Sequence, residues 1–411
     1  MSLLATQAAE GLALAPWAEH TRRSALQEML AIAARPGLLS FALGLPAREL
    51  FPTREFESAA AHVLAAEPHA LQYHPPLQSL KARVVELMAR RGVVCRPEQV
   101  FLTAGAQQGM NLLARLLLDT SSQVLLEEVA YPGFRQVIEP YQPELLTVTT
   151  DRATGMDVDE VEALLEAGAR PALIYAVPEG HNPLGVSLSQ EKRVRLVRLA
   201  RRFGVPVVED DAYGFLSYEG EALPPMRALD DEVVLYVGSF SKILAPALRA
   251  GWLVVPESLI PKLSIVKEAS DIDTTTFSQH VVNAYLEAGH LPAHLSLLRR
   301  EYGARRDAML RALEEHFPAG CRWVKPPSGV FVWVELPEAV DTYELLKAAV
   351  EVEQVAFIPG SAFYGGARAG EPRAMRLNFS NCTPERIGEG IRRLARILQS
   401  ALAGSAPAHT S

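Results

Sequence analysis

The apolar positions of this chain fall into two kinds of run. One kind is short, continuous and rich in Val, Ile and Leu. It comprises Val100-Phe101-Leu102, Val124-Leu125-Leu126, Ala172-Leu173-Ile174-Tyr175, Val205-Pro206-Val207-Val208, Val233-Val234-Leu235-Tyr236-Val237 and Ala250-Gly251-Trp252-Leu253-Val254-Val255. Strands buried on both faces read this way, whereas a strand with one wet face alternates. The other kind has helical spacing. It follows the glycine-bearing turn at 103–107 as far as Leu118, and recurs over Gln190–Phe203. Strands separated by helices predict an α/β fold, a mostly parallel sheet with helices on both faces.

The flanks read differently. Over 22–34, Leu26, Met29 and Leu30 recur at i, i+3, i+4 and predict a short helix that Pro36-Gly37 closes. Residues 54–66 and 77–91 read as helices, with Thr53 as N-cap and Phe56 opening the apolar face of the first. Beyond about residue 290 the pattern changes. A long helix is expected over Leu291–His316, strands at Gly329-Val330-Phe331-Val332-Trp333-Val334, Val355-Ala356-Phe357 and Met375-Arg376-Leu377-Asn378-Phe379, and a helix over 343–350. A last helix has Thr383 as N-cap, Pro384 at its first position, and Ile387, Ile391, Leu394, Leu398 and Leu402 on one face. This predicts a smaller α+β domain. The expected division is an N-terminal segment 1–52, a large domain 53–290, a small domain 291–403 and a disordered tail 404–411.

Composition narrows the class. The chain has 411 residues, enough for one large and one smaller domain, and its 49% hydrophobic and 21% charged residues exclude a disordered chain or a rod. With 40 Lys and Arg against 48 Asp and Glu, the net charge of −8 disfavours a nucleic-acid partner. Cys95, Cys321 and Cys382 lie far apart, so neither a zinc site nor a disulfide framework is expected, and no metal. The first twenty residues make a poor signal peptide, with Glu10 inside the apolar stretch. No apolar run reaches the roughly 18 residues of a membrane span. A soluble cytoplasmic protein is expected.

Several strand ends carry polar chemistry. Gly105-Ala106-Gln107 sits between a strand and a helix, where backbone N–H groups and the helix dipole favour an anion, although any tight turn uses glycine. Glu209-Asp210-Asp211-Ala212-Tyr213 follows a buried strand, at the end where α/β sheets bind ligands. The plain alternative is a solvated acidic turn. Ser239-Phe240-Ser241-Lys242 follows the next strand, with Arg249 shortly after. A lysine flanked by hydroxyls, near an Asp and an Arg from neighbouring strand ends, is a candidate Schiff-base nucleophile. His181-Asn182-Pro183-Leu184-Gly185 has turn chemistry that explains its Pro and Gly better than its Asn. Arg376 stands in an apolar strand, so it either faces water on an edge or has an anionic partner.

Taken together, the order and spacing of these motifs resemble the class I aminotransferases among the fold-type I pyridoxal-phosphate (PLP) enzymes, from about Ser40 to Leu398. The segment Leu39-Ser40-Phe41-Ala42-Leu43-Gly44-Leu45-Pro46, with Phe51-Pro52 after it, is similar to the branch holding α-aminoadipate, kynurenine and broad-specificity aminotransferases. The resemblance implies a role for each matched residue. Lys242 would bind PLP as a Schiff base and shuttle the substrate's α-proton. Asp210 would pair with the pyridine N–H, and Tyr213 and Asn182 would hydrogen-bond the ring oxygen. Tyr131 would stack on the ring. Gly105, Ala106, Gln107, Ser239, Ser241 and Arg249 would hold the phosphate. Arg376 would clamp the α-carboxylate, with Asn182, Gly44 and Leu43 also at the substrate. Tyr73 would reach the phosphate of the other subunit, which implies a homodimer with shared sites.

The expected activity is amino transfer between an L-amino acid and a 2-oxoacid by a ping-pong route. A lyase, decarboxylase or oxidative deaminase on the same scaffold is the alternative. A PLP-binding transcriptional regulator is disfavoured, because only about 40 residues precede the first motif, too few for a DNA-binding domain. The chain departs from the family at Leu184, where Thr is usual, at Leu43, where a second glycine is usual, and after Tyr73, where His74-Pro75-Pro76 replaces a Gly-rich stretch. Gln27 stands where the aminoadipate-type enzymes carry an arginine, with Arg22 and Arg23 nearby, so a dicarboxylic preference does not carry over.

Overall fold

The computed structural model describes residues 14–19, 37–220, 222–337, 340–364 and 373–404. The helix expected over 22–34, with Arg22, Arg23 and Gln27, lies outside the described residues, as do residues 405–411. Gly404, expected to begin the tail, instead ends the last helix, Pro384–Gly404.

Seven strands form the central sheet: β1 Val100–Thr103, β2 Gln123–Glu127, β3 Glu144–Val148, β4 Leu173–Ala176, β5 Val207–Asp210, β6 Val234–Ser239 and β7 Gly251–Val254. Their spatial order is β1-β7-β6-β5-β4-β2-β3. The run from β3 to β6 is parallel throughout. Only β7 runs against its neighbours, β1 and β6. All six expected strands are present. β3 was not expected: it is a partly exposed strand at the sheet's edge, where Glu144 and Thr147 interrupt the apolar run. The helix after β1, Ala106–Leu117, buries Met110, Leu112 and Leu113, and Gly109 lets it sit close to the sheet, since a Cβ there would come 2.8 Å from Leu253. Thr53 is not an N-cap. The helix runs Thr53–Ala66, with Pro52 in the capping position and no side-chain cap.

A second, four-stranded antiparallel sheet comprises β8 Arg322–Trp323, β9 Phe331–Glu335, β10 Ile358–Pro359 and β11 Ala374–Asn378, in the order β8-β9-β11-β10. β11 is interior, so Arg376 is not on an edge. Helices Leu291–His316 and Pro384–Gly404 pack on each other beside this sheet. A short parallel pairing of Leu39–Ser40 with Val355–Ala356, continued by the Asn378 N–H donating to Phe41 O at 2.8 Å, ties the early segment to the second sheet. This seats residues 42–45 over the carboxyl ends of the central strands, where such sheets bind ligands. Among the described residues no helix is long and apolar enough to cross a membrane.

Candidate active site

A cavity of about 460 Å³ opens at these strand ends. Leu43, Gly44, Ala106, Gln107, Tyr131, Asn182, Asp210, Tyr213, Ser239, Ser241, Lys242, Arg249 and Arg376 all line it. Residues far apart in sequence converge because most stand at or just beyond the ends of central strands on one side of the sheet, while Arg376 comes from β11 of the second sheet. Tyr73 does not line it; its side chain stands 79% exposed on the surface.

Lys242 follows β6, and its Nζ donates to Gly44 O at 2.7 Å. Burial, with the positive charges of Arg376 and Arg249, lowers its pKa to about 8 against the pull of Asp210. Asp210 ends β5. Its Oδ2 accepts from the Tyr175 hydroxyl at 2.7 Å, and its buried Oδ1 has no hydrogen-bond partner among the described residues. Burial raises this carboxyl to about 6. Burial also pushes Tyr213 and Tyr131 upward, so both hydroxyls stay protonated donors at neutral pH.

Arg376 is 3% exposed. Its Nη1 donates to Asn182 Oδ1 at 2.7 Å and its Nη2 to Ala42 O. The guanidinium lies 4.2 Å from the Phe331 ring centroid and 4.8 Å from that of Phe363. Its Nε has no partner, and no carboxylate pairs with it among the described residues. Burial lowers its pKa to about 10, which leaves it charged at neutral pH. A buried charge without a counter-ion is costly, so this geometry is built for an anion that arrives in the cavity.

The opposite end of the cavity suits a second anion. Gly105 takes φ +88° before the helix Ala106–Leu117, and a Cβ there would come within 3.0 Å of Arg249 Nη2. Arg249 Nη2 donates to Ala104 O at 2.7 Å. The Ser239 hydroxyl accepts from the Ser241 N–H at 3.1 Å, which sets both serines in one turn. Free helix N–H groups, two hydroxyls and a guanidinium make an oxyanion cradle.

Sequence reasoning missed Tyr175 and Phe331, both of which sit in apolar runs. The one available signal was the hydroxyl of Tyr175 in a fully buried strand, which requires a partner.

Residues 49–394 match the family described as Aminotransferase class I and II. The chain is 37% identical to "Aromatic-amino-acid aminotransferase 1" of Thermococcus litoralis, over 92% of each chain. The solved structure of a Pyrococcus horikoshii kynurenine aminotransferase in complex with PMP superposes with a TM-score of 0.88 at 35% identity, covering 95% of this chain and 97% of that one. The α-aminoadipate aminotransferase of Thermus thermophilus, complexed with N-(5'-phosphopyridoxyl)-L-leucine, gives 0.88 at 37% identity, covering 95% and 98%. A match that spans the strands, the cavity and the second sheet leaves one reading: the chain belongs to the class I and II aminotransferases and is a PLP-dependent aminotransferase.

Proposed function

We propose that the cavity holds PLP between Asp210 and the Gly105–Arg249 cradle, and an L-amino acid or 2-oxoacid against Arg376. The residues present fit the cofactor. Asp210 offers an unpartnered buried oxygen for a pyridine N–H, and Gly105 leaves space beside Arg249 for a phosphate that any Cβ would fill. Bound PLP supplies an electron sink that stabilises negative charge at the substrate's α-carbon. The chain does the rest. The backbone at Gly105, Ala106 and Gln107, with Ser239, Ser241 and Arg249, binds the phosphate. Tyr131 covers the ring, and Tyr213 and Asn182 donate to its oxygen. Lys242 would bind the cofactor covalently, and its free Nζ would take the α-proton and return it.

The observation that carries this reading is Arg376, a buried guanidinium at the cavity without a carboxylate partner among the described residues. Its planar fork suits a carboxylate bidentately, which fixes the adjacent Cα–H for transfer. The remaining walls, Leu43, Leu45, Val177 and Phe331, are apolar, and this favours large apolar or aromatic amino donors. The relative named for aromatic amino acids agrees with that choice.

We propose further that the chain works as a cytoplasmic homodimer, in which Tyr73 of each protomer serves its neighbour's phosphate. The three unpaired cysteines suit a reducing compartment. The division into domains near residue 290 accords with the central strands lying within 100–254 and the second sheet within 322–378.

The experiment is a half-reaction screen. Parent enzyme loaded with PLP is mixed with single amino acids, and the cofactor's absorption is followed. Aromatic and large aliphatic donors should convert the band and release one equivalent of 2-oxoacid. Lys242→Ala should lose borohydride-fixable cofactor. Cofactor still fixed to the Lys242→Ala chain, or no donor converting the parent, would overturn the reading.

A further inference from the structure

Tyr175 is fully buried in β4, among Leu173, Ile174 and Ala176. Its ring stacks on Phe134 with centroids 3.7 Å apart and planes 4° apart. β4 and β5 are parallel neighbours, so its hydroxyl reaches the end of the adjacent strand and donates to Asp210 Oδ2 at 2.7 Å. Asp210 Oδ1 is left buried and unpartnered. A phenylalanine would fill the same space and keep the stack. The hydroxyl therefore needs a reason beyond packing.

We propose that Tyr175 is a positioning residue for the cofactor: its hydroxyl fixes Asp210 Oδ2, keeps the carboxylate ionised, and leaves Oδ1 as the acceptor for the pyridine N–H. This rests on the reading of Asp210 given above. A carboxylate has two oxygens, and an unrestrained one can rotate or present a proton. Holding one oxygen with a donor settles both matters, because hydrogen bonds to the ionised form favour that form. Asp210 needs the help. Burial raises its pKa and Asp211 adds to the rise, while Tyr175, His181 and Lys242 lower it. Tyr131 and Tyr213 also face it, each as a protonated hydroxyl at neutral pH. Of these groups, Tyr175 makes the direct hydrogen bond. Removing its hydroxyl raises the Asp210 pKa, so a larger share is protonated at neutral pH. A neutral carboxyl cannot pair as an anion with a protonated pyridine.

The test is binding of pyridoxamine 5'-phosphate to the full-length apo chain, read by fluorescence from about pH 5 to about pH 9. This probe carries the pyridine nitrogen and the phosphate but no carbonyl for Lys242 to attack, and its own titrations are the same in every variant. In Tyr175→Phe, a rise of about one pH unit in Asp210, from about 6, should lower affinity about twofold at neutral pH and about tenfold near pH 5. The acid-side loss of affinity should also begin about one pH unit higher than in the parent. Phe134→Leu removes the stack and keeps the hydroxyl. It should lower the melting temperature and leave the pH at which affinity falls unchanged. A parent-like pH curve for Tyr175→Phe, or a loss uniform across pH, would mean that Tyr175 only packs. Asp210→Asn separates the two ideas. If Asp210→Asn binds the probe as the parent does, the reading of Asp210 fails. If it binds weakly while Tyr175→Phe matches the parent, the role of Tyr175 alone fails.

Discussion

Lys242 and Arg376 share one cavity, and each positive charge makes the other less favourable. Burial is the larger cause of the lysine's low pKa of about 8, and Arg376 is the next. The nucleophile is the free amine, so its reaction with the carbonyl of PLP should accelerate as pH rises and level off above about 8. Arg376→Met keeps much of the side chain's bulk and removes its charge. Loss of a like charge favours protonated Lys242, so the rising limb should move to higher pH. Stopped-flow absorbance of PLP addition to the apo chain measures this; an unmoved limb would show that the two groups are not coupled. Lys242, Asp210 and Arg376 were legible in the sequence because charges at the ends of buried strands, or within one, are conspicuous. Tyr175 and Phe331 were not. An aromatic residue in an apolar run looks the same whether it fills a core or flanks a guanidinium, and which one it does depends on strand order and register.

At the scale of elements, the turn between β1 and the helix Ala106–Leu117 carries much of the proposed cofactor site. Gly105 adopts φ +88°, and Thr103 Oγ1 donates to its carbonyl at 3.0 Å. Gln107 Nε2 donates to Gly133 O at 2.8 Å, locking the helix's first turn to the segment after Tyr131. Gly105→Ala is strained at that φ, and its Cβ would press on Arg249. The stability cost is on the order of 1–3 kcal/mol. Affinity for PLP should fall by more than about tenfold, because both the helix N–H groups and the guanidinium would shift. Titration of the apo chain with PLP checks this, and parent-like affinity would show that the phosphate sits elsewhere. Elements themselves were largely legible. The strands buried on both faces announced themselves by unbroken Val, Ile and Leu. β3 escaped because an edge strand needs fewer apolar residues, and Thr53 misled because threonine suits both a cap and a first turn. That β7 runs antiparallel was not legible, since its apolar run reads like those of its parallel neighbours.

For the whole molecule, the surface near Tyr73 is the informative region. Leu71 is 75% exposed, Tyr73 79% and Ile272 74%. The His74 N–H donates to Asp273 Oδ2 at 3.2 Å, which brings the two segments together. Ile272 also has φ +55°, a conformation that costs a β-branched residue on the order of 1–3 kcal/mol. We propose that these exposed apolar groups meet another protein. A second copy is the economical partner, because a two-fold axis would place each patch, with its Tyr73, against the other subunit. Complementation tests the arrangement. Lys242→Ala removes the proposed covalent residue, and Tyr73→Ala the group proposed to serve the neighbour, so each should be nearly inactive alone. Mixed in equal amounts and allowed to exchange, half the dimers would be hybrids with one intact site of two. Activity should then return to about one quarter of the parent's. Mixed dimers that form by sedimentation yet regain no activity would refute shared sites, and a fully active monomer would refute the dimer itself.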